Sequence, residues 1–489
     1  MKRIQKIEIK NFKAFREEQL FDLNGKNVLI FGNNGSGKSS LFWALYTFLQ
    51  SSIKKDDEIK KYFEIFDESN TATHESLKNM FESDTEDSFI KVTTIDDKKT
   101  ETYTISKDTI NTNLDSDTSI REANLVSDFI NHKLLHNFYN VSHRIETNLW
   151  PVFERDIFPF ITVDDDVFSD KIKRIKEAFW KTSSGRFISG GKFAIANGDL
   201  DKLNSEIDSF LQQIENTANE FIKKHFYSGQ EKLKIHLEYK RKLNFDQIKN
   251  EKKKNKKPDL QIKLWVELKE DNSDSWKTIQ RPHSFLHESF LSRIAFAIRI
   301  GALRLRPSTD KSFQILVLDD MLISLDMSNR MQLIKVLLNR DNSSDVEYFD
   351  NFQKIIMTHD KGFYEIIKRY TNPLEWEYFD FRKDENTNNA PVVTIDKSHI
   401  EKARAYLSDG QYELCGSELR KEAEGILSKF LKGLNNEYES EFKPLASKLN
   451  SALNKVIEDE RGRFRKIFVD RDLSINILKK LVSTVFFKR

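Results

Sequence analysis

The chain has 489 residues, more than one ordinary domain holds, so two to four domains are expected. Lys and Arg total 79 against 77 Asp and Glu, so the formal charge of +2 gives no chain-wide field for nucleic acid or a membrane, and any such surface must be local. One cysteine, Cys415, excludes a disulfide framework and a cysteine-rich zinc site and reads as a small buried apolar residue, and no apolar run reaches the ~18 to 20 residues of a bilayer span.

The opening Met1-Lys2-Arg3-Ile4-Gln5-Lys6-Ile7 lacks the apolar stretch of a secretory leader, so a soluble, cytoplasmic protein without membrane contact is expected. The membrane half of any transporter would lie on another chain. The 38 phenylalanines are spread along the sequence and read as core and interface packing.

In residues 1–50, Ile7 and Ile9 share a strand face, Phe12 and Phe15 follow, and Val28-Leu29-Ile30-Phe31 predicts a buried strand. Directly after it comes Gly32-Asn33-Asn34-Gly35-Ser36-Gly37-Lys38-Ser39, with Ser40 beyond, in the pattern G-x-x-x-x-G-K-[S/T]. Glycines at 32, 35 and 37 let backbone N–H groups turn inward around an anion at the start of a helix. Lys38 is placed to reach the β- and γ-phosphates of a nucleotide and Ser39 to help hold Mg²⁺, so ATP and Mg²⁺ are the expected cofactors.

Residues 51–75 turn polar, and 89–95 with 102–105 read as two strands of a hairpin. Residues 126–180 carry a dense aromatic and aliphatic pattern that predicts helices, with a break near Pro151. Leu200, Leu203, Ile207, Phe210, Leu211, Ile214, Ala218 and Phe221 recur at spacings of three and four, giving a helix to about Lys224, a short arm at most. Strands at 233–239 and 260–268 flank Lys252-Lys253-Lys254-Asn255-Lys256-Lys257, which reads either as a phosphate-gripping surface extended by Arg241 and Lys242 or as a solvated hairpin tip.

Ile315-Leu316-Val317-Leu318-Asp319-Asp320 is a buried strand that delivers two carboxylates at its C-terminal end. Asp319 suits the Mg²⁺ shell, and Asp320 suits orienting or deprotonating an attacking water. Ile355-Ile356-Met357-Thr358-His359-Asp360 ends a second such strand on a histidine. A strand at 376–381 closes the domain, 384–389 reads as a linker, and 398–489 as helices without a nuclease-like histidine or acidic cluster. Those helices carry Arg420, Lys421, Arg461, Arg463, Arg465 and Lys466, a nucleic-acid or partner face or a solvated one. The chain stops at Phe486-Phe487-Lys488-Arg489 inside an apolar helical pattern, as a shortened end or a helix that simply stops would.

Ser324-Leu325-Asp326 after the carboxylates resembles the D-loop of ABC-type ATPases, and His359 resembles their switch histidine. With Ile7-Glu8-Ile9-Lys10-Asn11-Phe12-Lys13 as first strand and the paired aspartates, the chain resembles the SMC and RecF branch of that class over about residues 1–395. The resemblance implies an α/β fold: an ABC-type phosphate-loop ATPase head with a mixed sheet, a helical short-arm insertion and a C-terminal helical domain. Residues 1–125 and 281–395 would form the head, 126–280 the insertion, and 396–489 the helical domain. Roughly 250 residues separate Lys38 from Leu286, too few for a long coiled coil.

It further implies that ATP is sandwiched between the phosphate loop of one copy and the signature of another, making a homodimer or higher homo-oligomer. The signature is degenerate here: Leu286-His287-Glu288-Ser289-Phe290 offers Ser289, His287 or the helix N-terminus to a γ-phosphate. The Q-loop position offers Asn131 or His132 where glutamine is usual, either one toward Mg²⁺ or water. Short-armed relatives of this kind, such as those of Septu-like and retron-associated systems, act in bacterial anti-phage defence beside a separate nuclease or toxin. The resemblance therefore implies a sensor or gate with a separate effector, against a RecF-type DNA repair ATPase or a non-hydrolysing ATP-dependent scaffold.

Overall fold

The structure, a computed structural model, describes residues 2–81, 87–97, 99–164, 166–181, 186–270, 275–307, 312–320, 327–340, 343–384, 390–395, 399–408, 410–433, 447–449 and 451. The chain divides into two compact units, Met1–Thr394 and Ile395–Arg489.

The first unit is built on a six-stranded sheet in the order Ala390–Ile395, Trp376–Asp384, Asn27–Gly32, Gln353–Thr358, Ile315–Asp319 and Asp128–Asn131. From Trp376–Asp384 across to Asp128–Asn131 every neighbouring pair is parallel. Parallel neighbours end on the same side, so their C-terminal ends make one edge: Phe31 lies opposite Thr358, and Asp319 lies opposite both Met357 and Asn131. Residues far apart in sequence meet there.

Alternation along these strands divides the interior in two. Val28, Ile30, Phe129, Ile315, Val317, Ile355 and Met357 face a core shared with the helix Lys38–Gln50, while Leu29, Ile130, Leu316, Leu318 and Ile356 face a larger one on the other side. Both cores are needed because a parallel sheet leaves neither face to solvent.

A second, antiparallel sheet in the order Gln19–Asp22, Arg3–Lys10, Phe89–Asp96 and Lys99–Ser106 covers the first core with Ile4, Ile7, Ile9, Ile90, Val92 and Ile105. The hairpin expected at 89–105 is its outer pair. Gln353 joins the two sheets: its side chain accepts from the Ile4 N–H at 2.7 Å and donates to the Ile4 and Lys26 carbonyls at 2.9 and 2.7 Å.

The helix expected around 200–224 runs from Gly191 to Phe226, 36 residues or about 54 Å. Its apolar stripe, Leu200 through Ile222, enters the larger core together with Leu291 to Leu303 of the helix Glu288–Leu303. These two helices touch backbone to backbone, since a Cβ at Gly301 would lie 2.7 Å from the Ile214 carbonyl oxygen. The residues read as an insertion thus share one core with the parallel sheet. Pro151 is not the expected break but sits in the first turn of the helix Trp150–Asp156, where its missing N–H costs no hydrogen bond.

The strands Leu233–Arg241, Gln261–Lys269 and Trp276–Ile279 form an antiparallel sheet, and the long helix covers its first edge. Asn219 pairs with both the N–H and C=O of Ile235 at 2.6 and 2.9 Å, and Glu215 accepts from the Leu237 N–H at 2.8 Å. Side chains thus satisfy backbone groups that an open edge would present to another chain. The basic run is not a bare hairpin tip: Lys252, Lys253 and Lys254 form the last turn of the helix Phe245–Lys254, where cations complement the helix dipole.

In the second unit the helices His399–Ser408 and Tyr412–Gly433 pack together, His399 Nδ1 meeting Glu418 at 2.6 Å, with Cys415 buried. Residues 461–466 and 486–489 lie outside the described residues.

His236 stacks on Trp265 with 3.9 Å between ring centroids and lies 3.3 Å from Glu215 and 3.4 Å from Glu267. The hydrogen bond to Glu215, opposed by burial, raises its pKa above 6.5. The stabilisation it contributes is complete below that ordinary value and is lost as pH rises through the raised folded-state value. Urea unfolding midpoints are expected to fall from pH 6.5 upward in the native sequence and to fall less in His236→Gln; identical profiles would show that His236 is not the group responsible.

Candidate phosphate-binding site

The glycine loop leaves the strand Asn27–Gly32 and enters the helix Lys38–Gln50 through Gly37, whose φ of +98° is strained for any residue with a Cβ. At Gly32 the constraint is contact: a Cβ would lie 2.4 Å from Ser36 Oγ and 2.9 Å from the Phe381 carbonyl. Asn33, Asn34 and Gly35 are exposed at the lip, and buried Ser36 leaves its hydroxyl without a hydrogen-bond partner. Ser40 turns away, accepting from the Ala14 N–H at 3.3 Å.

Lys38 is 4% exposed, and its ammonium donates to the Gly32 carbonyl at 2.5 Å and the Asn33 carbonyl at 3.2 Å, with Asp320 Oδ2 at 3.7 Å. Its charge is held inside the loop. Ser39 Oγ donates to Asp319 Oδ2 at 2.8 Å, joining residues 280 positions apart. The other Asp319 oxygen is buried with no partner, and burial pushes this carboxyl above its ordinary range; Ser39 opposes the rise and the Asp320 charge adds to it. An under-satisfied carboxylate beside a serine hydroxyl is the donor set that a hard divalent cation takes.

Asp320 has a left-handed backbone, φ +47°, stabilised by its N–H donating to the Met357 carbonyl at 3.1 Å. The bend carries its carboxyl to the end of the neighbouring strand, where Oδ1 accepts from both the backbone N–H and the Nδ1 of His359, each at 2.9 Å. A carboxylate can only accept, so in this contact Nδ1 is the donor. The second Asp320 oxygen points toward Lys38.

Asn131 stands in register with Asp319, on the strand beyond it, but its side-chain oxygen caps the helix His132–His136 by accepting from the Leu134 N–H at 2.8 Å. His132 approaches Glu288 at 3.6 Å. His287 is the N-cap of the helix Glu288–Leu303, and the Ser289 carbonyl accepts from Arg293; among the described residues neither His287 nor Ser289 is hydrogen-bonded to the glycine loop. Asp326 lies outside the described residues.

Two features escaped the sequence reading. Arg330 pairs with Asp360 at 2.9 Å, while the other Asp360 oxygen caps the helix Lys361–Tyr370 through the Phe363 N–H, fixing the turn after His359. Asp128 is fully buried between Arg299 and Arg306, which also donate to the carbonyls of Asp156 and Ser127. Burial would raise Asp128, but the two guanidinium charges outweigh it and hold the carboxyl below its ordinary range. This cluster ties the strand of Asn131 to the helix of Ser289. Its signal was available: Asp128 directly precedes the apolar pair Phe129-Ile130 of a buried strand, and a buried carboxylate requires a partner.

Solved structures similar to this chain include the Smc head domain with an extended coiled coil bound to the C-terminal domain of ScpA from Pyrococcus furiosus, at 13% identity over 84% of this chain and 99% of that one, TM-score 0.43. The SMC head domain from Thermotoga maritima matches at 13% identity over 81% and 99%, TM-score 0.34, and the recombination mediator protein RecF at 14% over 78% and 96%, TM-score 0.39. No curated protein matches the sequence. The profile of one family, described as AAA domain, matches residues 6–288, more than half the chain and the whole glycine loop; the chain belongs to the AAA domain family.

Proposed function

We propose that this protein binds Mg²⁺ and ATP at the glycine loop, hydrolyses ATP slowly, and uses the nucleotide as a switch between open and closed dimers. The observation that carries the reading is the convergence of Lys38, Ser39, Asp319, Asp320 and His359 at one sheet edge, with Ser39 and Asp319 2.8 Å apart. The loop fits a polyphosphate: its tight turn requires glycine, since a Cβ at Gly32 would strike Ser36 and Phe381 and one at Gly37 would strike Pro391, and the buried Ser36 hydroxyl has no partner among the described residues. Ser39 and Asp319 fit Mg²⁺, which supplies charge neutralisation at the phosphates when bound.

The residues then divide the work. Lys38 exchanges loop carbonyls for phosphate oxygens, a stronger charge-assisted contact. His359 holds Asp320 through two hydrogen bonds and leaves the second carboxylate oxygen to orient a water and accept its proton. Ser289 and His287, unattached to the phosphate loop of their own chain, are available to a second copy, which supports a head-to-tail dimer. A switch that samples two states answers to ligand only through differential affinity, and a γ-phosphate bridging two copies supplies it. We place this switch as sensor or gate beside a separate effector in anti-phage defence, a reading supported by the sequence resemblance.

Lys38→Ala is expected to weaken ATP binding by about 100-fold, the worth of a charged hydrogen-bonded contact; unchanged affinity in a filter-binding titration would remove the assignment. Asp320→Asn should keep ATP binding and dimerisation, read by light scattering, while phosphate release falls by about 10² or more. Asp319→Asn, relieved of a buried charge, should melt at a higher temperature without metal and lose the further rise that Mg²⁺–ATP gives the native sequence. A lower melting point in that variant would contradict the desolvation account.

A further inference from the structure

The N-terminal edge of the parallel sheet, opposite the glycine loop, holds a cavity of about 640 Å³ whose charged lining is four cations, Arg3, Lys26, Arg340 and Lys354, against two carboxylates, Asp350 and Glu375. Lys354, second residue of the strand Gln353–Thr358, is 5% exposed, and its ammonium donates to a single group, the Phe349 carbonyl at 2.6 Å. It has no ion pair. Arg3 is half-buried, and its guanidinium makes one hydrogen bond, to the Gly25 carbonyl at 3.4 Å. Arg340 is exposed at the rim, 5.4 Å over the Tyr370 ring. Lys26, by contrast, is committed to Glu377 at 2.8 Å.

The two carboxylates in the lining act on these cations at a distance, without a direct pair among the described residues. Asp350 accepts from Asn339 at 2.7 Å, and neither Asp350 nor Glu375 comes within ion-pair distance of Lys354 or Arg3. Burial drives the Lys354 pKa down to about 8, with Asp350 and Glu375 opposing the fall and Arg3 adding to it. Burial likewise lowers Arg3. Protein interiors rarely keep cations short of counter-charge, because desolvation goes uncompensated. An anion entering the cavity would find an ammonium and two guanidinium groups in its lining against two carboxylates.

We propose that this cavity is a second anion site that takes a phosphate group. A guanidinium fork with a point-like ammonium suits a tetrahedral oxyanion, which offers several acceptor oxygens at once. The site is separate from the nucleotide loop: Lys354 precedes Thr358 by four residues, about 13 Å along the strand. Its volume admits inorganic phosphate and also the phosphorylated end of a polynucleotide. Both present the same group to Lys354, Arg3 and Arg340.

Calorimetric titration of the full chain with inorganic phosphate, a 5′-phosphorylated dinucleotide and its 5′-hydroxyl twin tests this. Uptake should weaken at least tenfold in Lys354→Met and in Arg340→Gln and less than twofold in Lys38→Ala. Lys354→Met, freed of a buried charge, should melt no lower than the native sequence yet lose the rise in melting temperature that phosphate produces. Arg340→Gln, altered only at the rim, keeps the test valid if Lys354→Met does not fold. Preference for the 5′-phosphorylated dinucleotide over phosphate supports a polynucleotide end as the source, and equal or better uptake of phosphate supports the free ion. No uptake by the native sequence, or uptake lost only in Lys38→Ala, overturns the proposal.

Discussion

Everything at the candidate site depends on parallel pairing of the four strands that end at Gly32, Thr358, Asp319 and Asn131. Antiparallel order would send alternate ends to opposite edges. Parallel order brings the glycine loop, two aspartates and a histidine to one edge, and it requires that both sheet faces be buried. The two hydrophobic cores meet that requirement. Residues 126–280, remote from the glycine loop in sequence, therefore matter to the site: their long helix supplies much of the cover on one face.

The same edge concentrates charge at a cost. Asp319 is buried with one oxygen unpartnered, Asp320 adopts a left-handed backbone, and Lys38 is held by carbonyl groups. Each is a departure from what packing alone would select, and each is the kind of departure that the proposed binding of polyphosphate and cation would compensate. The Asp128, Arg299 and Arg306 cluster solves its charge problem internally, with both guanidinium groups closing on one carboxylate. Lys354 and Arg3 do not, which is why the opposite edge of the sheet invites a ligand as well.

Legibility followed the range of the interaction. The glycine loop was readable because its chemistry is local: eight consecutive residues set turn, anion cradle and helix start. The strands ending at Asp319 and His359 were readable from apolar runs closed by polar residues. Pro151 misled because proline marks a helix start as readily as a break, and only the neighbours decide. The basic run looked like a hairpin tip because its helix is short, and its capping box, Asn244 with Gln247, lies well before the lysines. Asn131 reads from sequence as a group facing Mg²⁺ or water, but its side chain caps a helix, a use that depends on where the next backbone N–H points.

By itself the sequence determined the glycine loop, the residue types around it and the buried strands, and with them the ligand class to expect, because spacing and hydrophobic alternation are local properties. Only the tertiary structure decided that Ser39 meets Asp319, that His359 rather than solvent holds Asp320, that Arg330 steadies the turn beyond, and that Lys354 is buried without a counter-ion. Those facts depend on strand order and register, which join positions hundreds of residues apart. No local pattern encodes them.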